Sequence, residues 1–303
     1  MDPRFCKGLW RLADPKVSLA SFSSLFLGTC AAYADGPLSV PWLAATVLGI
    51  FAVEVAKNAS GEIVDFDSGT DLAVASEDRS PFSGGKRVIV EGLLTGGQTA
   101  SIAAAGYGIG IGLGLWIALE REPRVLPLGL VGLVCAYGYH APPLRLSYRG
   151  LGELAVGLCY GPLLAAGAYL VQRGEVRREA ILAAVPLGLL VAAFLWINEF
   201  PDARADAEAG KKTLVVRLGR RRASRAFAGI VGLAFGLLAV LPLLGVRRGV
   251  WLGGLGLPSA VAAAAILLRH PEVTRKVVPA QALTLLAFVL EACGSGVGFL
   301  LST

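Results

Sequence analysis

The chain has 303 residues, 55% of them hydrophobic and only 17% charged, with 39 glycines and a net charge of +6. That balance excludes an ordinary soluble domain and describes a polytopic membrane protein, in which small residues let helices approach closely. The positive charge lies in short segments between apolar runs, a pattern of membrane orientation that leaves no role for nucleic acid.

Residues 1–16 carry Arg4, Lys7, Arg11 and Lys16, and an apolar run then reaches Tyr33. The arrangement looks like a signal peptide, with Ala32-Tyr33-Ala34 as a cleavage-like site. The apolar run is long and many spans follow it, so an uncleaved first helix is expected. A second span is expected at about 39–57, followed by a polar stretch over 58–96. The third, at about 98–119, carries alternate glycines from Gly106 to Gly114; its length and apolarity predict a closely packed helix rather than a strand. Further spans are expected at about 125–141, 151–171 and 180–198. A basic loop over 199–225 separates these from the last three, at about 226–246, 250–268 and 278–301. The expectation is an all-α bundle of nine transmembrane helices, read as one domain over 1–303. With the N-terminus in the cytoplasm, three quarters of the 28 Lys and Arg fall on the cytoplasmic side. Outside remain Arg121, Arg124, Arg173, Arg177, Arg178, Arg247 and Arg248, as the positive-inside rule asks. Cys6, Cys30, Cys135, Cys159 and Cys293 have neither metal-ligand nor redox spacing and are expected as small packing residues.

Two acidic clusters follow the second and sixth spans, on the same side of the membrane. In the second of them, Asn198, Asp202 and Asp206 are spaced i, i+4, i+8, which drifts only about 80° around a helix and lets all three point one way. Pro201 lies within this stretch and could kink the helix or start a new one. Carboxylates gathered on one face repel unless a cation sits between them, and oxygen-only ligands suit Mg²⁺. The basic pair Lys211 and Lys212 follows closely and could hold the rest of an anionic ligand. In the first cluster Asn58, Glu62 and Asp65 share a face if the helix continues, while Asp67 points away. Ser68-Gly69 is expected to end that helix, so that Asp71 could turn back toward the site.

Around the fourth span's end, Tyr139-His140-Ala141-Pro142-Pro143 stops a helix at the tandem prolines. Arg145 and Arg149 could grip a diphosphate or a carboxylate, or simply anchor the chain at the interface. His140 could assist proton transfer or serve only a structural role. Arg79 and Lys86 could close over a diphosphate, with Ser83-Gly84-Gly85 giving flexibility, or remain solvated. Glu291 lies deep in the last span, with no partner evident from sequence.

The stretch Asn198-x-x-x-Asp202-x-x-x-Asp206, with Gly210-Lys211-Lys212-Thr213-Leu214 after it, resembles the second aspartate motif of the UbiA-type intramembrane aromatic prenyltransferases. Asp65-Phe66-Asp67-Ser68-Gly69-Thr70-Asp71 resembles the first motif in the branch that makes the menaquinone precursor, as do the segments from Val88 to Thr95 and from Ala141 to Glu153. Where that branch carries Asn-Asp upstream of the first-motif Asp, this chain has Gly61-Glu62, with Asn58 one turn earlier. The resemblance covers most of residues 15–300 and implies a nine-helix bundle of the UbiA type in a bacterial or archaeal plasma membrane. It implies Mg²⁺-dependent transfer of a polyprenyl group from polyprenyl diphosphate to an aromatic acceptor, 1,4-dihydroxy-2-naphthoate first among them, at a cytoplasmic site. Other acceptors (4-hydroxybenzoate-like, homogentisate-like or phosphoglycerol) stay open. It implies metal ligation by Glu62, Asp65, Asp71, Asp202 and Asp206. Catalytic roles fall to Asp65, Asp202, Asp206, Lys211 and Arg145. Substrate contacts fall to Asn58, Asn198, Arg79, Lys86, Lys212, Tyr139, His140 and Arg149. The bilayer is the expected surrounding, and no protein partner is indicated. The rival from another class is a secondary transporter with carboxylate ion-coupling sites, which usually places such residues near the midplane on broken helices.

Overall fold

Asp2 starts the first helix, α1 (Pro3–Ala13): its carboxylate accepts from the Arg4 N–H at 2.9 Å, and a proline occupies the first turn, where a missing N–H costs nothing. The helix stops at Asp14, whose φ of 35° is left-handed, and α2 (Pro15–Ala34) begins at the next residue. In this computed structural model, which describes residues 2–302, α1 lies against the rest of the bundle on an apolar face. Gly8 and Leu12, one turn apart, are buried; a Cβ on Gly8 would come within 2.5 Å of the Leu94 side chain. The sequence reading gave this segment only as a basic flank.

Helix α3 (Val40–Asp67) continues ten residues past the expected end of the second span. At 1.5 Å per residue its 28 residues measure about 42 Å, so its last turns stand clear of a hydrocarbon core about 30 Å thick. Gly69, at φ +74°, ends the run and leads into the single turn α4 (Thr70–Ala73). The loop that follows runs to Thr95, where a capping box with Gln98 opens α5 (Gly96–Glu120). Helices α3 and α5 cross closely: a Cβ on Gly106 would lie 2.7 Å from the Ala52 carbonyl, and one on Gly110 would lie 2.4 Å from Val53. Gly108, Gly112 and Gly114 face open space, so the alternate glycines belong to different faces of one helix.

Helix α6 (Val125–Gly138) has 14 residues, about 21 Å, and falls short of a full crossing. The expected span over 125–141 ends early because the chain turns at Tyr139 and His140, ahead of the tandem prolines. The next crossing, Gly152–Arg173, comprises α7 (Gly152–Leu158), a π turn over Cys159–Leu163 and α8 (Leu164–Arg173). Pro162 has no N–H to give the ladder, and Gly161 adopts non-helical angles where it meets α9; a Cβ on it would lie 2.6 Å from the Gly188 Cα.

Helix α9 (Arg178–Glu208) runs unbroken through Pro186 and Pro201, so Pro201 neither ends it nor starts another. Its 31 residues measure about 46 Å, and Leu187, Leu190, Ile197 and Phe200 put it at the centre of the core. The expected basic loop over 199–225 is therefore mostly helical: the end of α9, then α10 (Leu214–Leu218), then α11 (Arg220–Val240). A 3₁₀ stretch over Arg248–Gly256 leads into α12 (Leu257–Arg269), and α13 (Thr274–Leu301) closes the chain's described part. Gly249, Gly253 and Gly256 bring that stretch onto α13; a Cβ on Gly249 would lie 2.1 Å from the Gly298 carbonyl. Glu291, for which the sequence offered no partner, accepts from Ser295 Oγ at 2.9 Å within this contact.

Among the described residues eight helical runs are long and apolar enough to cross a membrane, and α6 is a shorter ninth. The count of nine thus resolves into eight full crossings and one partial one. At the end remote from the acidic clusters, Asp35 accepts from Tyr169 Oη at 2.6 Å and pairs with Arg247 at 2.5 Å and Arg177 at 3.1 Å, tying α2, α8 and the starts of α9 and the 3₁₀ stretch.

Candidate active site

The two acidic clusters sit on the protruding ends of α3 and α9. Asn58, Glu62 and Asp65 from the first, and Asn198, Asp202 and Asp206 from the second, line one cavity of about 770 Å³. The i, i+4 spacing on each helix explains why these side chains face it together. Tyr139, His140, Lys86 and Lys211 also line it. Beyond the polar end the wall is apolar and includes Leu113, Ile117, Leu126, Leu133 and Val171.

Lys211 stands between the clusters. Its Nζ lies 2.7 Å from Asp65 Oδ1 and 3.8 Å from Asp206 Oδ1, and 5.5 Å from the centre of the Tyr148 ring. A turn places it there: Gly210 takes φ +74°, and the Lys211 N–H donates to the Asp206 carbonyl at 2.7 Å. Burial works against the lysine's charge, but Asp65 and Asp206 outweigh it and hold the ammonium above the ordinary lysine value.

The loop between α4 and α5 covers both clusters with backbone donors. The Gly84 N–H donates to Asp202 Oδ2 at 3.2 Å and the Ile89 N–H to Glu62 Oε1 at 3.0 Å. Gly84 and Gly85 have φ of +91° and +76°, and a Cβ on Gly85 would lie 2.0 Å from Asp71 Oδ1. Asp71 is buried but does not line the cavity. Burial, then the nearby Asp65 and Glu62 carboxylates, push its carboxyl up to about 7. Gly61, one of the two departures from the family pattern, makes room for His140: a Cβ there would lie 2.7 Å from the imidazole ring. Burial brings that imidazole down to about 4, against the pull of Asp65, so it is neutral at pH 7 and its Nδ1, 4.0 Å from Asp65 Oδ1, forms no charged pair.

Other expected residues are not brought to the cavity. Arg145 is exposed and stacks on the Tyr148 ring at 5.1 Å; Arg149 is exposed and donates to the Pro143 carbonyl at 2.9 Å. Arg79 is exposed and turned to the Val74 carbonyl, 3.4 Å away, and Lys212 is exposed with its backbone joined to Tyr148 and Arg217. None of the four lines the cavity. Asn58 does, but its amide donates to the Leu12 carbonyl at 2.8 Å and so ties α1 to α3.

Among the described residues no three His, Cys, Asp or Glu side chains are drawn together as ready metal ligands. The donor set nevertheless fits a hard divalent cation. Asn198 Oδ1 and Asp202 Oδ1 are buried oxygens without a hydrogen-bond partner on the cavity wall, with Glu62, Asp65 and Asp206 facing the same space.

Several cavity residues escaped the sequence reading. Glu54 is hidden inside the second apolar span, and Lys57 at its end counts only among the cytoplasmic charges; both line the cavity, with Tyr160. Asp14 pairs with Lys86, which therefore is not free to move as a solvated side chain. Helical spacing was the available signal: Glu54, Asn58, Glu62 and Asp65 lie on one continuing face.

Residues 21–290 match the model of the UbiA prenyltransferase family. The 1,4-dihydroxy-2-naphthoate octaprenyltransferase of Bacillus subtilis (strain 168) is 28% identical over 227 residues, covering 75% of this chain and 71% of that protein. Its namesake from Haemophilus influenzae is 30% identical over 217 residues, 69% of this chain and 68% of that protein. The solved structure of a UbiA homologue from Archaeoglobus fulgidus bound to GPP and Mg²⁺ superposes with a TM-score of 0.60 at 15% identity, covering 95% of this chain and 99% of that one.

Proposed function

The chain belongs to the UbiA prenyltransferase family and is a membrane-embedded prenyltransferase; we propose that it moves a polyprenyl group from polyprenyl diphosphate to 1,4-dihydroxy-2-naphthoate with the help of Mg²⁺. The observation that carries this reading is the single cavity shared by both acidic clusters and Lys211, continuous with an apolar wall. The names of the Bacillus and Haemophilus relatives support the acceptor, and the ligands of the Archaeoglobus homologue support the donor and the metal. Family membership disfavours the transporter alternative.

In this reading Glu62, Asp65, Asn198, Asp202 and Asp206 hold the metal, and Asp71 backs them from behind Gly85. A Mg²⁺ ion held by these residues would supply positive charge to the diphosphate leaving group. Lys211 offers the leaving group a fixed cation at the same place. Neutral His140 presents an unpartnered Nδ1 able to accept a hydrogen bond from the acceptor. The apolar wall takes the prenyl tail and keeps water away from the allylic cation. The positive-inside charge bias supports a mouth of the cavity that opens to the cytoplasm. One prenyltransferase domain then spans 1–303. The direct test incubates purified protein with Mg²⁺, a labelled polyprenyl diphosphate and a panel of aromatic and phosphoglycerol acceptors, with products identified by mass. Pyrophosphate, CO₂ from the ring carboxylate and a prenylated naphthoquinol are the expected products; prenylation of another acceptor alone would overturn the assignment.

A further inference from the structure

Deeper in the cavity than the acidic clusters lies a second polar group that the reading above does not use. Glu54 stands near the middle of α3, eleven residues before Asp65, or about 16 Å along the helix axis. Its residue is 4% exposed and it lines the cavity; among the described residues neither carboxylate oxygen makes a well-formed hydrogen bond, and its polar neighbours are Lys57 and Tyr160. Lys57, one turn on, lines the same cavity, and its Nζ donates to Tyr160 Oη at 3.0 Å. Tyr160 is carried on the π turn, a distortion often found at functional sites, and Ser24 Oγ donates to its main-chain carbonyl.

A carboxylate and an ammonium at this depth in a membrane are costly and call for a function or a partner. Among the described residues three cationic side chains line the cavity. Lys86 is paired with Asp14, and Lys211 with Asp65 and Asp206; Lys57 alone makes no ion pair, its contact being the neutral phenol. The site thus offers one cation outside any close ion pair and, one turn away, a carboxylate that faces it and the Tyr160 hydroxyl, beside an aromatic ring. A hydroxylated aromatic carboxylate has the complementary groups: an anion for Lys57, a phenolic O–H for Glu54 and a ring to lie against Tyr160. The prenyl tail has none of these and gains nothing from the polar group.

We propose that Glu54, Lys57 and Tyr160 form the acceptor subsite and set the preference for an aromatic ring bearing both a hydroxyl and a carboxylate. Lys57 is about 12 Å along α3 from Asp65, so a ring held on it fills the interval between the polar group and a diphosphate at the mouth. The proposal rests on the prenyl-transfer reading and adds to it the residues that choose the acceptor.

The test uses the detergent-purified full chain and calorimetry with three probes: 1-hydroxy-2-naphthoate, 1-naphthol, and inorganic pyrophosphate with Mg²⁺. Lys57→Met is expected to weaken hydroxynaphthoate about tenfold to a hundredfold, the scale of a lost charged hydrogen bond, and to leave naphthol and pyrophosphate unchanged. Tyr160→Phe, which removes the phenol that holds the ammonium, should weaken hydroxynaphthoate by a smaller factor and leave pyrophosphate unchanged. Glu54→Gln should weaken both aromatic probes. In turnover, the KM for the acceptor rises in Lys57→Met while that for the prenyl diphosphate stays put. Unchanged hydroxynaphthoate affinity in Lys57→Met, or an equal loss for naphthol, overturns the subsite. Wild-type protein that binds pyrophosphate but no hydroxynaphthoate overturns it too and spares the diphosphate site; protein that binds neither removes the prenyl-transfer reading along with it.

Discussion

Replacing Lys211 by Met separates the two jobs assigned to that lysine, holding the clusters together and binding the anion. Its residue is 7% exposed and Asp206 is 6% exposed, so the substitution leaves two poorly solvated carboxylates facing each other without their cation. Removing one member of such a buried arrangement costs about 3–5 kcal/mol, most of it from the uncompensated charge that remains. Unfolding of the purified protein in detergent at pH 7 with EDTA should show a loss of that size. Saturating Mg²⁺ should narrow the gap between variant and wild type, because a divalent cation can neutralise the same carboxylates. Calorimetry should also show Mg²⁺-dependent pyrophosphate binding weakened about tenfold to a hundredfold in the variant, the scale of a hydrogen bond between charged groups. A variant as stable as wild type in EDTA would refute the bridging role of Lys211. Equal stabilisation of both proteins by Mg²⁺ would show that lysine and metal do not serve the same carboxylates.

Asp65→Ala and Asp202→Ala should each abolish prenyl transfer while the protein stays folded in detergent; normal turnover in either at saturating Mg²⁺ removes that residue from the site. Cysteines introduced at Ser83 and Ala209 should be labelled from the cytoplasm and one at Gly174 from outside, and labelling of the first two from opposite sides would break the shared site. Asp71 gives a pH signature in metal-free protein: its folded carboxyl is raised to about 7 from 3.8, so stability should fall as pH rises between those values and level off above. Asp71→Asn should flatten that decline; an unchanged slope points to another group.

Most of the fold was legible because a membrane helix is written in apolar length, and α2, α5, α13 and the run of α12 with its 3₁₀ lead-in lie close to where hydropathy put them. What hydropathy could not locate was where a helix continues after it leaves the lipid. The polar tail of α3 from Asn58 to Asp67, and that of α9 from Glu199 to Glu208, look like loops on an apolar scale. They stay helical because tertiary contacts and the N–H donors of the covering loop support them. Pro201 misleads in the same way. Its missing N–H falls in a long helix already fixed by packing on both sides, and the helix passes through. Helix α1 reads as a basic flank because Gly8 and Leu12, which seat it, are only two of its residues and sit beside Arg4, Lys7 and Arg11.

The site was legible where it is built from helical spacing and hidden where it is built from the backbone. Asn198, Asp202 and Asp206, like Glu62 and Asp65, follow from periodicity, and they converge. The arginines expected to grip an anionic substrate, Arg79, Arg145 and Arg149, all end at the surface. The groups that meet Asp202 and Glu62 are instead the N–H groups of Gly84 and Ile89, and such donors carry no mark in a sequence. Their placement depends on contacts from α1: Arg11 pairs with Glu91 at 2.7 Å, Leu12 packs with Leu94 and Val88, and Asp14, ahead of α2, pairs with Lys86. The mouth of the cavity is therefore set by an amphipathic helix outside the apolar spans, through a loop whose glycines come close enough to bond. A charge on that loop matters less for what it touches in the cavity than for where it holds the backbone.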